Sequence, residues 1–176
     1  MSILNREFYK KNTLDVAKNL LGCKIFRKIN NEILSGTIVE TEAYMQDDPA
    51  CHAFNGYTQR SATLFKQAGI AYVYLIYGMY YCLNFVTEAE GTAGAVLIRA
   101  LNMPNANGPG KLCRELKIDK SLNEADVTNK KSGLWVEKGI TVPPENIVTT
   151  TRIGIKKAAD YPWRFYIKDN KFVSKL

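Results

Sequence analysis

The stretch ILSGTIVETEAY, residues 33–44, predicts a long β-strand that organises the rest of the chain. Because successive side chains of a strand point to opposite faces, Glu40, Glu42 and Tyr44 share one face of it. Two carboxylates and a phenol on one face cost free energy if that face is buried without a purpose. The face is therefore either a site, with a general base beside an aromatic wall, or a solvated outer surface. The pattern alone leaves both interpretations open.

Strands outnumber helices on both sides of this stretch. A helix is predicted from the capping residue Asn12 to Gly22, a short one around residues 61–68 within a polar, loop-like segment, and another from near Lys111. The remaining strands are predicted at residues 23–29, 71–76, 79–86, 94–101, 134–138, 147–155 and 164–167. Since strands and helices do not alternate regularly, the fold class is α+β. We expect a single compact domain over residues 1–176, with a curved, mostly antiparallel sheet flanked by few helices.

Length and composition are those of an ordinary globular protein. The 176 residues suffice for one domain with a sizeable core, and 46% apolar with 23% charged residues exclude disorder, collagen-like repeats and coiled coil for the whole chain. The longest uncharged stretch, residues 67–87, contains five tyrosines, which favours strands with a turn over a membrane helix. The N-terminal MSILNREFYKK lacks the apolar core of a signal peptide. We therefore expect a cytoplasmic protein without a membrane-spanning segment.

The charge balance is basic, with 24 Lys and Arg against 17 Asp and Glu, a formal net charge of +7. Such a protein is attracted to polyanions such as nucleic acid, ribosomes or acidic lipid surfaces, although many soluble proteins are simply basic. Residues 152–176 carry seven basic side chains against two aspartates. This segment is expected to form an edge that faces phosphate.

Cysteine and histidine usage excludes several kinds of site. The four cysteines are scattered and form no CxxC pair, so zinc-ribbon and thioredoxin-like sites are excluded, and the thiols are expected to be reduced and buried. The single histidine, His52, excludes sites built on several histidines within one chain, which removes most catalytic zinc sites. Cys51 next to His52 suggests a thiol nucleophile with its base. Adjacent side chains rarely point at each other, which disfavours that hypothesis.

Half of the ten tyrosines lie in the run YVYLIYGMYY, residues 72–81. Tyr77 precedes Gly78, where the tip of a hairpin would expose it. Aromatic faces stack on nucleobases, and a bulky side chain at a protruding turn can wedge between base pairs. The alternative is a tyrosine-rich sheet whose hydroxyls reach the surface.

Two further features are ambiguous by themselves. Arg99 interrupts an apolar strand, and a buried arginine needs either a carboxylate, such as Glu40 or Glu42, or a substrate phosphate. The turn GPGK, residues 108–111, precedes a helix, where backbone amides and Lys111 could attract phosphate. It lacks the pattern of a Walker loop, and by itself it favours a plain turn over a phosphate site.

Taken together, these motifs resemble those of the alkyladenine (3-methyladenine) DNA glycosylase family, the single-domain methylpurine glycosylases of base excision repair. The resemblance runs nearly end to end, and its most specific blocks are ETEAY at residues 40–44 and YVYLIYGM at residues 72–79. The other matching blocks are FY at 8–9, LLG at 20–22, IV at 38–39, Asp48 with CHA at 51–53, Thr58 with Arg60, CLN at 82–84, VLIRA at 96–100, GPGKL at 108–112, RIG at 152–154 and PWRF at 162–165.

The resemblance implies which residues carry the chemistry. Glu42 would be the general base for the water that attacks C1′ of a flipped nucleotide, and Arg99 would help to hold that water. The main-chain carbonyl of Ile153 would be a further water contact. The implied reaction is monofunctional: the enzyme releases an alkylated or deaminated purine and leaves an abasic site without cutting the strand. It uses no metal and no other cofactor.

The resemblance also assigns DNA-binding roles. Tyr44, His52 and Tyr74 would sandwich the damaged base, and Asn84 would form the pocket floor that disfavours the exocyclic amine of normal guanine. On a protruding hairpin that enters DNA, Tyr77 would fill the gap left in the duplex, with Met79 close behind. The implied backbone contacts are Gly110 and Lys111.

The implied partner is double-stranded DNA that contains damaged purines, bound by a monomer without an obligate protein partner.

The sequence departs from the family at residues 61–65, SATLF, and at Tyr80, where many bacterial members have histidine. Both departures could alter the edge of the pocket. The sequence does not rank 3-methyladenine, 7-methylguanine, hypoxanthine and ethenoadenine as substrates. The main alternative function is a non-enzymatic nucleic-acid-binding domain with a basic surface and an aromatic hairpin.

Overall fold

One long strand is the axis of the fold in a computed structural model that describes residues 2–175. This strand, β2 (Glu32–Met45), is 14 residues long, as the sequence predicted to within a residue at each end. The other strands are β1 (Lys24–Ile29), β3 (Ala71–Ile76), β4 (Tyr80–Val86), β5 (Gly94–Asn102), β6 (Leu134–Glu137), β7 (Ile147–Thr150) and β8 (Arg164–Ile167). The helices are α1 (Arg6–Tyr9), α2 (Thr13–Asn19) and α3 (Pro109–Glu115), with 3-10 turns at Ala62–Phe65, Lys120–Leu122 and Pro144–Asn146.

The eight strands form one sheet in which every named pair is antiparallel, which confirms the predicted α+β class. Its main order is β3-β4-β5-β2-β1-β6. Strand β5 follows one edge of β2. The other edge is divided, because β1 pairs with residues 32–37 and β8 pairs with residues 40–42. The segment that holds both glutamates is thus flanked by strands on both edges.

The two faces of the sheet are covered by different layers. On one face Leu83, Phe85 and Val96 belong to the main core, together with Val16 of α2 and Leu20, which follows this helix. By strand alternation, Tyr72, Val86 and Ala95 point to the opposite face. There they form a second, smaller cluster with the segment that connects β2 to β3. This second face carries the site described below.

The strand pairing is irregular beside Glu40, in the middle of β2. The pairing of β2 with β5 shifts twice, between Ile38 and Glu40 and again between Glu40 and Thr41. Arg99 lies between the residues that pair with Glu40 and Thr41, and so has no directly opposed partner. Such bulges re-aim side chains next to functional sites.

A tight turn connects β3 to β4. It is closed by a 3.2 Å hydrogen bond that the Met79 amide donates to the Ile76 carbonyl. Its central residues Tyr77 and Gly78 have φ values of 54° and 66°. Positive φ at both central positions is the signature of type I′ hairpin turns.

Some sequence predictions need correction. The strand predicted at residues 147–155 ends at Thr150, because Arg152 turns its side chain into the protein and Gly154 adopts a φ of +76°. The helix predicted around residues 61–68 is only a 3-10 turn, and α1 was not predicted. The helix from Asn12 is present: the Asn12 side chain accepts from the Leu14 amide, and the helix ends at Asn19, before Gly22. No helix within residues 2–175 is long and apolar enough to cross a bilayer.

Candidate active site

A cleft of about 490 Å³ opens on the second face of the sheet, between the β3–β4 hairpin, α3 and the segment that follows β7. It brings together nine of the eleven residues that the sequence assigned to a site. These are Glu42, Tyr44, His52, Tyr74, Tyr77, Arg99, Gly110, Lys111 and Ile153. They come from segments more than 100 residues apart in sequence, and the sheet is what places them around one cleft.

Glu42 lies at the base of this cleft, completely buried. Its Oε1 accepts a 2.7 Å hydrogen bond from the Ile153 amide and lies 3.3 Å from Nη1 of Arg99. Its Oε2 accepts a 2.8 Å hydrogen bond from the Tyr44 hydroxyl. Burial raises the pKa of the Glu42 carboxyl, although Arg99 and both hydrogen bonds act in the opposite direction. A carboxylate that is held in place and has a raised pKa has the properties of a general base. Its burial excludes the interpretation of this face as a solvated outer surface.

Glu40, two residues earlier, is equally buried but belongs to a separate group of contacts. Its Oε1 accepts hydrogen bonds from Arg99 Nε at 3.1 Å and from Arg164 Nη1 at 2.9 Å. Ser174 adds both its amide and its hydroxyl to the same carboxylate. Arg99 thus bridges the two glutamates, so its partners are carboxylates within the protein, one of the two alternatives that the sequence left open.

Tyr44 is held between Glu42 and Arg152. The Arg152 guanidinium lies 4.6 Å from the centre of the Tyr44 ring and donates to both carboxylate oxygens of the buried Asp48. It also donates a 2.9 Å hydrogen bond to the Ala43 carbonyl. Burial raises the pKa of Tyr44 well above its usual value, and the nearby Glu42 adds to the effect. Tyr44 therefore acts as a neutral hydrogen-bond donor.

The aromatic wall of the cleft is formed by His52 and Tyr74, whose ring centres lie 4.7 Å apart in an edge-to-face arrangement. Nδ1 of His52 lies 2.9 Å from the Tyr72 hydroxyl, and its Nε2 lies 3.3 Å from Nη2 of Arg60. Burial, together with Arg60, lowers the pKa of His52 to about 4. His52 is therefore a neutral aromatic surface near pH 7.

Tyr77 and Met79 lie at the tip of the hairpin, and both are strongly exposed, at 77% and 65%. Tyr77 reaches the rim of the cleft, whereas Met79 does not line it. On the opposite rim, Lys111 is exposed and donates a 3.1 Å hydrogen bond to the Asn107 side chain. A Cβ at Gly110 would come within 3.0 Å of Tyr80, so this glycine lets α3 pack against the hairpin.

Asn84 does not line the cleft. It is buried behind the aromatic wall, where it donates a 3.2 Å hydrogen bond to the Tyr72 carbonyl. It lines a small cavity that it shares with Tyr44, His52 and Tyr74. Asn84 is therefore adjacent to the three aromatic residues but separated from the main opening.

One interpretation from the sequence is wrong in part, and one hypothesis that the sequence already disfavoured is contradicted by the structure. Arg152 and Arg164 do not belong to a phosphate-facing edge, because both are buried and paired with Asp48 and Glu40. Cys51 is not a nucleophile activated by His52. The cysteine is buried in the smaller cluster and burial raises the pKa of its thiol to about 11, while the histidine ring is engaged by Tyr72 and Arg60.

Sequence reasoning did not assign roles to several residues that shape the site. Arg152, Asp48, Tyr72 and Arg60 orient the residues around the cleft. Asp48 and Arg60 were visible only as parts of matching motifs, and Tyr72 only within the tyrosine run. Arg152 was expected at a phosphate-facing edge instead. The contacts between these residues span up to 104 residues. Nothing local in the sequence marks such contacts. Within residues 2–175 there is no cluster of three or more His, Cys, Asp and Glu side chains that could hold a metal ion.

Comparison with known proteins gives one consistent result. Residues 7–171 match the family model described as methylpurine-DNA glycosylase. A protein of Carboxydothermus hydrogenoformans is 48% identical, with 98% of this chain and 99% of that protein aligned. Proteins of Sodalis glossinidius and Clostridium botulinum are 51% and 45% identical, over 93% and 98% of this chain and 96% and 99% of their own lengths. All three are named as candidate 3-methyladenine DNA glycosylases.

Proposed function

We propose, since the chain belongs to the methylpurine-DNA glycosylase family, that it is a monofunctional DNA glycosylase of base excision repair. It hydrolyses the N-glycosyl bond of alkylated or deaminated purines in double-stranded DNA and leaves an abasic site. The observation that carries the proposal is the buried Glu42 carboxylate at the base of an aromatic cleft, held by Ile153, Tyr44 and Arg99.

Glu42 is the general base. A carboxylate has about four lone-pair positions. Ile153 and Tyr44 occupy one on each oxygen by hydrogen bonds, and Arg99 lies 3.3 Å from Oε1, so at least one position on Oε2 remains to accept from water. Glu42 removes a proton from that water, whose oxygen forms a bond to C1′ while the bond from C1′ to the purine nitrogen breaks. The electron pair of the broken bond leaves with the base. The negative charge of Glu42 also stabilises the oxocarbenium-like sugar.

The aromatic wall receives the damaged base once it is flipped out of the duplex, at a cost of a few kcal/mol. Tyr44, His52 and Tyr74 offer ring surfaces around the cleft. Purines alkylated at ring nitrogens carry positive charge, which binds favourably to electron-rich aromatic faces. Because burial keeps His52 neutral, none of these three rings itself carries a positive charge that repels such a base.

The hairpin and the opposite rim hold the DNA. Tyr77 fills the gap that the flipped nucleotide leaves, with Met79 beside it, and Gly110 and Lys111 contact the backbone. The exposure of Tyr77 at the rim of the cleft supports this role. Asn84, behind the aromatic wall, limits the depth of the base pocket and disfavours the exocyclic amine of guanine. We further propose that the enzyme acts as a monomer in the cytoplasm.

The decisive experiment measures release of the base from duplexes that contain a single hypoxanthine or ethenoadenine, followed by alkaline cleavage at abasic sites. The wild-type protein should produce abasic sites, whereas Glu42→Gln should lower the rate by roughly 10²–10⁴-fold, as expected for loss of a general base. Glu42→Gln should still bind the duplex. Release at the wild-type rate by this variant would contradict the role of Glu42.

The same experiment separates the enzyme from the alternative, a non-enzymatic DNA-binding domain. A binding domain gains nothing from a buried carboxylate with three donors. It would bind these duplexes without producing abasic sites in either form.

A further inference from the structure

Arg99 is oriented by contacts on each of its three nitrogen atoms. Its Nη1 lies 3.3 Å from Glu42 Oε1, and its Nε donates a 3.1 Å hydrogen bond to Glu40. Its Nη2 donates to the hydroxyl of Ser174 at 3.3 Å. The position of the guanidinium that contacts Glu42 therefore depends on two groups outside the reaction cleft, since neither Glu40 nor Ser174 lines it.

Glu40 binds more groups than are needed to neutralise Arg99. Its two oxygens accept from Arg99, from Arg164 and from both the amide and the hydroxyl of Ser174, at distances of 2.7–3.1 Å. Arg164 in turn donates to the Lys175 carbonyl, which fixes the same segment a second time. Residues 174–175 thus form a carboxyl-terminal strap against the rear of Arg99.

We propose that Glu40 is a positioning residue for base release: together with Ser174 of the strap, it fixes Arg99 and through Arg99 the carboxylate of Glu42. This inference rests on the proposed function. Without the Glu40 carboxylate, Arg99 would form an ion pair with Glu42 alone. Its guanidinium could then donate to both oxygens of Glu42 and occupy the lone pair that the water requires. Because Glu40 accepts a hydrogen bond from Arg99 Nε, the guanidinium stays in a bridging position. The positive charge of Arg99 is then shared between the two carboxylates.

The test must separate positioning from simple stability, because Glu40→Gln leaves Arg99 and Arg164 buried with one carboxylate fewer. The readout is the pH profile of the single-turnover rate on a duplex that contains one hypoxanthine.

The titratable and charged groups around Glu42 are Arg99 from β5, Tyr44 and Glu40 from β2, Tyr74 and Cys82 from the hairpin strands, and Arg152 after β7. Around Glu40 they are Arg99 and Arg164. Of these, only Glu40 loses its charge in the variant.

We expect Glu40→Gln to lower the single-turnover rate by roughly ten- to a hundredfold, the order of loss that follows a misplacement of about 1 Å. The acidic limb of its profile should move to lower pH, because the charge of Arg99 then acts on Glu42 without compensation and favours the ionised carboxylate. If Glu40→Gln had the pH profile and rate of the wild type, the proposal would be overturned. A lower rate whose acidic limb stays at the wild-type pH would overturn it too, because that result indicates a structural role only.

A second variant decides the question if Glu40→Gln does not fold. Ser174→Ala removes one hydroxyl and leaves every charge in place, so the limb cannot move and does not discriminate in this variant. We expect a lower single-turnover rate with unchanged DNA affinity and a loss of melting temperature no larger than that of Ser132→Ala, whereas a structural role would lower the rate only through a larger loss of stability. The matched controls are Asp126→Asn, which breaks an acid–arginine pair with Arg6 remote from the cleft, and Ser132→Ala, which removes a hydroxyl bound to two carbonyls. Both should retain the wild-type rate. A wild-type rate for Ser174→Ala would overturn the proposal. A wild-type protein that releases no base would instead refute the proposed function itself.

Discussion

At the scale of a single residue, Glu42, the proposed general base, is completely buried, where an ionised carboxylate is disfavoured. Burial raises the pKa of Glu42 above its ordinary value, so the folded state binds a proton more tightly than the unfolded state does. Its contribution to stability is therefore complete at pH values below the unfolded pKa and is lost as the pH rises through the folded pKa. Function at neutral pH thus costs this protein stability, as is common at active sites.

This loss of stability with rising pH can be measured by comparing the wild type with Glu42→Gln. The amide carries no charge at any pH, so the variant does not lose stability as the pH rises through the pKa of Glu42. We expect the difference between the melting temperatures of the variant and the wild type to become more favourable to the variant from pH 4.5 to pH 7. Thermal unfolding followed by circular dichroism would show it. A difference that stays constant, or that changes in favour of the wild type, would mean that the Glu42 pKa is not raised by folding.

His52 offers a second measurement at this scale, because it is the only histidine of the chain. Burial and Arg60 lower its pKa to about 4. In the untagged protein, the imidazole signals in a proton–carbon NMR spectrum should therefore not move between pH 5.5 and 8, and they should titrate only in more acidic solution. An inflection near the ordinary value of about 6.5 would show that His52 is solvated rather than part of the aromatic wall.

At the scale of secondary-structure elements, the hairpin of β3 and β4 presents Tyr77 on a turn with positive φ values. Tyr77→Ala should weaken binding to a lesion-containing duplex by roughly tenfold or more, since stacking on a base contributes ~1–3 kcal/mol. Its melting temperature should stay within error of the wild type, because a side chain that is 77% exposed adds little to the core.

Tyr57→Ala is the matched control, because Tyr57 is also an exposed tyrosine, at 72%, and lies outside the cleft lining. Fluorescence anisotropy with a labelled duplex gives both affinities. Equal losses of affinity in the two variants would remove the specific role of the hairpin.

The elements also show what the sequence could and could not predict. Strand β2, the hairpin and the helix capped by Asn12 were predicted because local patterns, turn residues and caps determine them. The end of β7 was mispredicted, because Arg152 leaves the strand to reach Asp48, a contact across 104 residues that no local pattern encodes. The partners of Arg99 were left open for the same reason, since the choice between carboxylate and phosphate depends on the strand pairing.

At the scale of the whole molecule, the buried charges cancel. Arg99, Arg152 and Arg164 pair with Glu40, Glu42 and Asp48, three cations with three carboxylates, so the rest of the chain carries the whole formal charge of +7. Part of that charge lies beside the cleft, where Lys111 and Arg114 of α3 are exposed. Exposed positive charge of this kind attracts DNA before a base enters the cleft.

DNA affinity should therefore fall steeply as salt is raised, in proportion to the number of phosphates that the protein contacts. Replacing one of the contacting lysines should lower the slope of log K against log salt by about one. We expect this for Lys111→Ala at the rim of the cleft. We do not expect it for Lys28→Ala, because Lys28 is an exposed lysine on β1, separated from the hairpin strand β4 by β2 and β5. Titrations of an undamaged duplex at several salt concentrations measure both slopes. Equal slopes for the two variants would mean that the DNA is attracted by the overall charge rather than by the rim beside Glu42.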